Sequence, residues 1–154
     1  MAIPDDQLRW QNAKRVGRPA VAIPYSDVDG TTLYRRYRIR LHAPDHYRSP
    51  KGSKAAPYSL NHLARHGQTV LVEGETDAAT VWYTGFPSLG IPGAGNWREA
   101  WKVHLQDIEA YIWREPDEGG DALVSRSPRT CRTSAAGLLA PGAWAPSQAL
   151  RHSL

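Results

Sequence analysis

Two short apolar runs that end in carboxylates constrain this chain more than any other feature. VLVEGETDAA (70–79) and YIWREPDEGG (111–120) each read as a strand that runs into a cluster of acids. Carboxylates beside an apolar core are expensive unless they are paired or hold a cation. Around these runs the pattern alternates. TVLVE (69–73) is a strand, and TDAATVWYTG (76–85) a helix capped by Thr76 and stopped by Gly85. PSLGI (87–91) is a short strand and PGAGN (92–96) a tight loop. WREAWKVHL (97–105) is a helix with Trp97, Trp101 and Leu105 on one stripe, and IEAYIW (108–113) a third strand. A further helix opens within DEGGDALV. Strand, helix, strand, helix, strand with short connections predicts an α/β fold, a parallel sheet flanked by helices. Sites in such sheets form beyond the carboxyl ends of the strands, where both acid clusters fall.

The stretch before this unit differs. VAIPY (21–25) and LYRRYRIRL (33–41), joined by the turn SDVDG, predict a basic antiparallel hairpin. In the second strand Leu33, Arg35, Tyr37, Ile39 and Leu41 alternate with Tyr34, Arg36, Arg38 and Arg40, so one face is lined by arginines. APDHYRSPKGSKAAP (43–57) reads as a loop and SLNHLARHG (59–67) as a helix. Charge follows the same division. Residues 1–69 carry 12 Lys/Arg and 5 Asp/Glu, a net +7, whereas residues 70–121 carry 3 and 10, a net −7. Residues 122–154 carry 4 Arg and no acid. A basic block beside an acidic one suits a protein that grips a polyanion near a metal, although ordinary solvated surface has the same composition.

Glu73 ends the first strand, with Glu75 and Asp77 after it; Glu115 and Asp117 end the third, with Glu118 beside them. If the two strands are neighbours, these acids share one sheet edge, and carboxylates so close raise each other's pKa. Oxygen-only donor sets of this kind suit Mg²⁺ or Mn²⁺. Acids in the first turn of a helix also complement its dipole, which serves equally well for Glu75, Asp77 and Glu118.

VLVEGETDA followed by YIWREPDEGG resembles the Toprim domain of bacterial-type DNA primases, topoisomerases and related nucleases. GFPSLGIPGAGNW resembles the second strand and glycine loop of that domain in primases of phages and mobile genetic elements. VAIPYSDVDG, the arginine-rich strand and SPKGSKAAPYSL resemble the segment that precedes it there, so the likeness covers about residues 20–124. The resemblance implies that Glu73 is the catalytic acid/base and a metal ligand, that Glu115 and Asp117 are the metal-binding acidic pair, and that Asp77 assists. The first of the pair is Glu where the family pattern has Asp. Lys51 and Lys54 fall where those primases hold nucleotide or template, and Arg35, Arg36, Arg38, Arg40 and Arg48 are the expected contacts to a nucleic-acid backbone. The implied function is Mg²⁺- or Mn²⁺-dependent nucleotidyl transfer that makes RNA primers on single-stranded DNA from nucleoside triphosphates, with a replicative helicase as a possible partner. A Toprim nuclease, and a non-catalytic nucleic-acid-binding module or truncated relic of a primase, are the alternatives.

The organisation expected is an N-terminal arm (1–20), a basic β-rich subdomain (21–66), an incomplete Toprim core (67–124) and an irregular basic tail (125–154). The tail composition suits either a flexible segment or an out-of-frame reading of GC-rich coding DNA. No apolar run approaches the length of a membrane span and no signal segment opens the chain, so the expected place is the cytoplasm. The single cysteine, Cys131, excludes an internal disulfide and no Cys pair offers a zinc site. His62 and His66 lack a third ligand, and the lone Gly-x-Gly of PGAGN reads as a turn. Trp82, Trp97, Trp101 and Trp113 read as packing residues rather than base-stacking ones.

Overall fold

A computed structural model describes residues 9–13, 18–40, 47–63, 67–129 and 131–135. The chain forms two four-stranded sheets. The first is antiparallel and built from β1 (Arg9–Ala13), β2 (Arg18–Ser26), β3 (Thr32–Arg38) and β4 (Tyr47–Arg48), in that order. After a one-turn helix α1 (Leu60–Leu63) the second sheet follows: β5 (Gln68–Glu73), helix α2 (Gly74–Tyr83), β6 (Ser88–Ile91), β7 (Glu109–Arg114), helix α3 (Glu118–Arg126) and β8 (Arg132–Ala135). Its order is β6-β5-β7-β8 and every pairing is parallel.

β5 is buried on both faces, as a central parallel strand must be. Leu71 joins one cluster with Leu60, Leu89, Ile91, Trp101, Ile112 and Leu123, while Val70 and Val72 join the other with Ile23, Tyr25, Tyr58 and Ala78. The first cluster packs α3 and the loop after β6 on the sheet; the second packs α2 and the antiparallel sheet on its opposite face. Ile112 lies on β7 and is fully buried, so Ile112→Val is expected to lower stability by about 0.5–1.5 kcal/mol, measured by denaturant unfolding.

The predicted hairpin is present, with Tyr25 opposite Tyr34 and Ile23 opposite Arg36. Its faces are inverted relative to a solvated arginine row. Arg36, Arg38 and Tyr34 point inward and are half-buried, whereas Leu33 is 47% exposed. The arginines face inward because the wall opposite them carries carboxylate and hydroxyl partners. β1 and the start of β2 occupy the stretch expected to be an arm.

Three local expectations need correction. α2 begins at Gly74, two residues before Thr76; its N-cap is Glu73, and Thr76 makes no capping contact. The turn is made by Gly74 at φ +87°, which lets the chain pass from strand to helix without a connecting loop. The stretch expected as an α-helix over 97–105 is 3₁₀ over Glu99–Leu105. Its apolar stripe persists, with Trp97 edge-on to Trp101 at 5.8 Å and Trp101 buried. The ring packing, rather than the helix type, is what the sequence pattern records. Lastly, β8 lies in the stretch expected to be irregular, where it pairs with β7 from Tyr111↔Arg132 to Arg114↔Ala135. A four-residue edge strand of Arg, Thr, Ser and Ala carries no apolar alternation by which to recognise it. The remainder of that tail, residues 136–154, lies outside the described residues.

A candidate acidic site facing a basic sheet

β5 and β7 are neighbours, paired from Gln68↔Glu109 to Leu71↔Ile112, so both acid clusters stand at one sheet edge. Glu73 ends β5 and is half-buried. Asp117 follows β7 and caps α3, accepting a hydrogen bond from the Gly120 backbone N–H at 2.8 Å. It is therefore a helix cap as well as a strand-end acid. Gly119 sits between the two carboxylates: a Cβ on it would run into Glu73 Oε2 and lie 3.3 Å from Asp117 Oδ1. Only a residue without a side chain leaves room for both acids there.

The other two acids register the crowding. The Asp77 carboxyl is held above its ordinary 3.8 by partial burial and then by the charges of Glu73 and Glu75. Glu115 is held above its ordinary 4.5 by desolvation and then by Asp77, Asp117 and Glu73. A raised carboxyl pKa means that the folded chain binds protons more tightly than the unfolded chain. These two groups therefore cost stability that increases as pH climbs from about 4 through their raised values. Glu115→Gln is accordingly expected to raise the melting temperature only slightly at pH 7, because solvent screens the site, and the difference should vanish at pH 4. Thermal melts of both proteins across that range check it.

Opposite the acids stands the inward face of β3. Arg36 Nη1 lies 2.7 Å from Glu75 Oε1, and the same oxygen accepts the Tyr25 hydroxyl at 2.6 Å. Glu75 is only 4% exposed, so it is a buried ion-pair partner and not a solvated first-turn acid. Burial and then the Glu75 charge push the Tyr25 hydroxyl pKa far up, which keeps it a proton donor. Arg36 also lies over the Tyr47 ring at 4.3 Å, and Arg38 Nη1 donates to Thr76 Oγ1 at 3.3 Å. A cleft of about 450 Å³ separates the walls, with Arg36, Arg38 and Tyr47 on one side and Glu73, Thr76 and Asp77 on the other. A larger hollow of about 800 Å³ lies elsewhere, lined by Lys102, Arg126 and Arg129 among others, and contains none of the clustered acids. The smaller cleft is where the strand-end acids face the arginines of β3, and the chemistry points there.

Of the basic residues singled out from sequence, Arg36 and Arg38 line the cleft; the exposed Arg35 does not, nor do Arg40, Arg48, Lys51 and Lys54. The latter four are exposed. Arg48 Nη1 donates to the Tyr47 carbonyl at 2.8 Å, and Arg40 offers its own carbonyl to Arg38 Nε at 3.3 Å. Tyr25, Tyr47, Thr76 and the buried role of Glu75 were not anticipated. The spacing Glu75, Ala78, Trp82 is the buried stripe of α2, and it could have placed Glu75 inward.

Among the described residues no three His, Cys, Asp or Glu side chains gather as a ligand set for a metal ion. Two carboxylates do converge on Gly119. The donor set is all oxygen, and Mg²⁺ is commonly held by one or two carboxylates, completed by water and substrate phosphate. The residues thus fit an open site of that kind.

No protein-family model matches the sequence. A stretch of 74 residues is 32% identical to the Gene 57 protein of Mycobacterium phage D29, covering 47% of this chain and 46% of that one. Among solved structures, the Escherichia coli primase catalytic core superposes with a TM-score of 0.60 at 16% identity, over 96% of this chain and 53% of that one. The primase fragment of the bacteriophage T7 primase-helicase protein gives 0.60 at 19% identity, over 75% and 53%. The RNA polymerase domain of Mycobacterium tuberculosis primase DnaG, solved with a double-stranded DNA oligomer bearing a 6-nucleotide overhang, gives 0.60 at 16%, over 84% and 50%. The chain spans about half the length of these structures, and with them it shares the mixed α/β fold of the DnaG-type primase catalytic core.

Proposed function

We propose that this chain is the core of a metal-dependent nucleotidyl transferase of primase type, making RNA primers on single-stranded DNA. The observation that carries the reading is the cleft, in which Glu73 and Asp77 face Arg36 and Arg38 across the gap between the two sheets. Glu73 and Asp117, with Glu115 and Asp77 close by, would hold Mg²⁺ or Mn²⁺, which when bound neutralises charge on the triphosphate. The chain's own residues bind and orient. Arg38 and the exposed Arg40, Arg48, Lys51 and Lys54 grip backbone phosphates without regard to sequence. Glu73 accepts the proton from the primer 3′-hydroxyl as its oxygen bonds to the α-phosphorus. The bond from that phosphorus to the departing pyrophosphate breaks in the same step.

The test is incorporation of labelled nucleoside triphosphates on a single-stranded template with Mn²⁺. Short oligoribonucleotides are expected. Shortening of the template instead would favour a nuclease. Salt-dependent template binding with neither product would favour a non-catalytic module.

A further inference from the structure

The two walls of the cleft belong to different sheets, and nothing in the acidic strand ends alone fixes their separation. Arg38 and Tyr47 reach Thr76 across the exposed part of the cleft, at 3.3 and 3.4 Å, and a buried polar contact joins the walls beneath them. Glu75 Oε1 accepts both Tyr25 OH (2.6 Å) and Arg36 Nη1 (2.7 Å), while Tyr25 is fully buried. Tyr25 is itself clamped, stacked on Tyr34 at 4.6 Å and edge-on to Tyr58 at 5.5 Å. Tyr58 exchanges two backbone hydrogen bonds with Gly90 of β6, at 2.7 and 3.1 Å. Glu75 is separated from Glu73 only by Gly74, at the start of α2. A displacement of its carboxylate is therefore passed to Glu73 and Asp77 through less than one helical turn.

We propose that the buried Tyr25–Glu75–Arg36 contact is a positioning device that sets the spacing between the arginine wall and the acidic edge, so that a phosphate chain held by one is presented to the other. The inference rests on the reading of the acidic edge as the reaction centre. Hydrogen bonds and an ion pair suit this role because they are directional, whereas the surrounding apolar packing fixes proximity but not registry. Arg36 is on this account a positioning residue, and Arg38 together with the exposed cations does the gripping.

The experiment has two arms on the full chain. In the first, spin labels at Leu33→Cys and Tyr83→Cys, exposed positions on β3 and α2, report the distance between the walls in a Cys131→Ser background. The distribution is expected to be narrow in the parent and to broaden in Glu75→Gln and in Tyr25→Phe. The second change removes only the hydroxyl and keeps the clamped ring, so it carries the test should Glu75→Gln fail to fold. Distributions superposable on the parent in these variants would overturn the proposal. In the second arm, single-strand affinity is measured by fluorescence anisotropy with and without Mn²⁺. Mn²⁺ is expected to tighten binding about tenfold in the wild type and by less than about twofold in either variant. The triple variant Tyr25→Phe/Arg36→Met/Glu75→Leu separates positioning from mere support, because apolar replacement of a whole buried polar cluster, with no partner left unpaired, often leaves stability unchanged. It should melt near the wild type yet still lack the Mn²⁺ effect; return of that effect would overturn the proposal. A wild type in which Mn²⁺ has no effect on DNA binding would sink the nucleotidyl-transfer reading, and the label distances would then decide the contact by themselves.

Discussion

Glu73→Gln and Asp117→Asn are each expected to lower primer synthesis by about 10²-fold or more, with little loss of stability. Both changes keep the shape of the side chain and delete its charge. Asn at 117 retains an oxygen that can accept the Gly120 N–H, so the α3 cap survives. Glu73 lines the cleft and contributes no capping side-chain bond to α2, so the helix start tolerates the amide. The measurement is nucleotide incorporation alongside thermal melting. A loss of activity matched by a collapse in melting temperature would point to folding rather than chemistry.

The neighbouring glycines of EPDEGG should behave oppositely when replaced by alanine. Gly120 is buried in the first turn of α3, and a Cβ there would lie 2.6 Å from the Glu115 nitrogen and 2.9 Å from its carbonyl carbon. These are backbone atoms with no rotamer to escape into. Gly120→Ala is therefore expected to cost about 3 kcal/mol or more and to push α3 away from the end of β7. At Gly119 the added methyl meets the ends of two flexible side chains, Glu73 and Asp117. Gly119→Ala should fold and melt near the wild type but synthesise primer as poorly as Glu73→Gln. Equilibrium unfolding and incorporation assays on the pair check both halves. Equal stability of the two variants would contradict the packing at the start of α3.

The acidic edge was legible because strands and acids are local signals. VLVE and YIWR announce buried parallel strands by their apolar runs, and the turn residues after them place the carboxylates at the carboxyl ends. Adjacency of β5 and β7 was a conditional reading that the sheet order satisfies. What the chain did not disclose locally are its long-range pairings. The arginine row of β3 read as surface because its partner, Glu75, is 39 residues away, and a period of two cannot say which face meets another sheet. Glu75 read either as one of the clustered acids or as a first-turn complement to the helix dipole, and its burial against Tyr25 and Arg36 comes from the opposite wall. β8 was invisible because its pairing with β7 is made by backbone groups, which composition does not record.

The central claim is that Glu73 and Asp117 form a divalent-cation site facing the basic sheet. Anomalous diffraction from a crystal soaked with Mn²⁺ and a nucleoside triphosphate tests it most directly. The account predicts a peak within ligand distance of the carboxylates that flank Gly119, with the triphosphate reaching across the cleft toward Arg38. A peak elsewhere, or none at this edge while Mn²⁺-dependent synthesis proceeds, would contradict it.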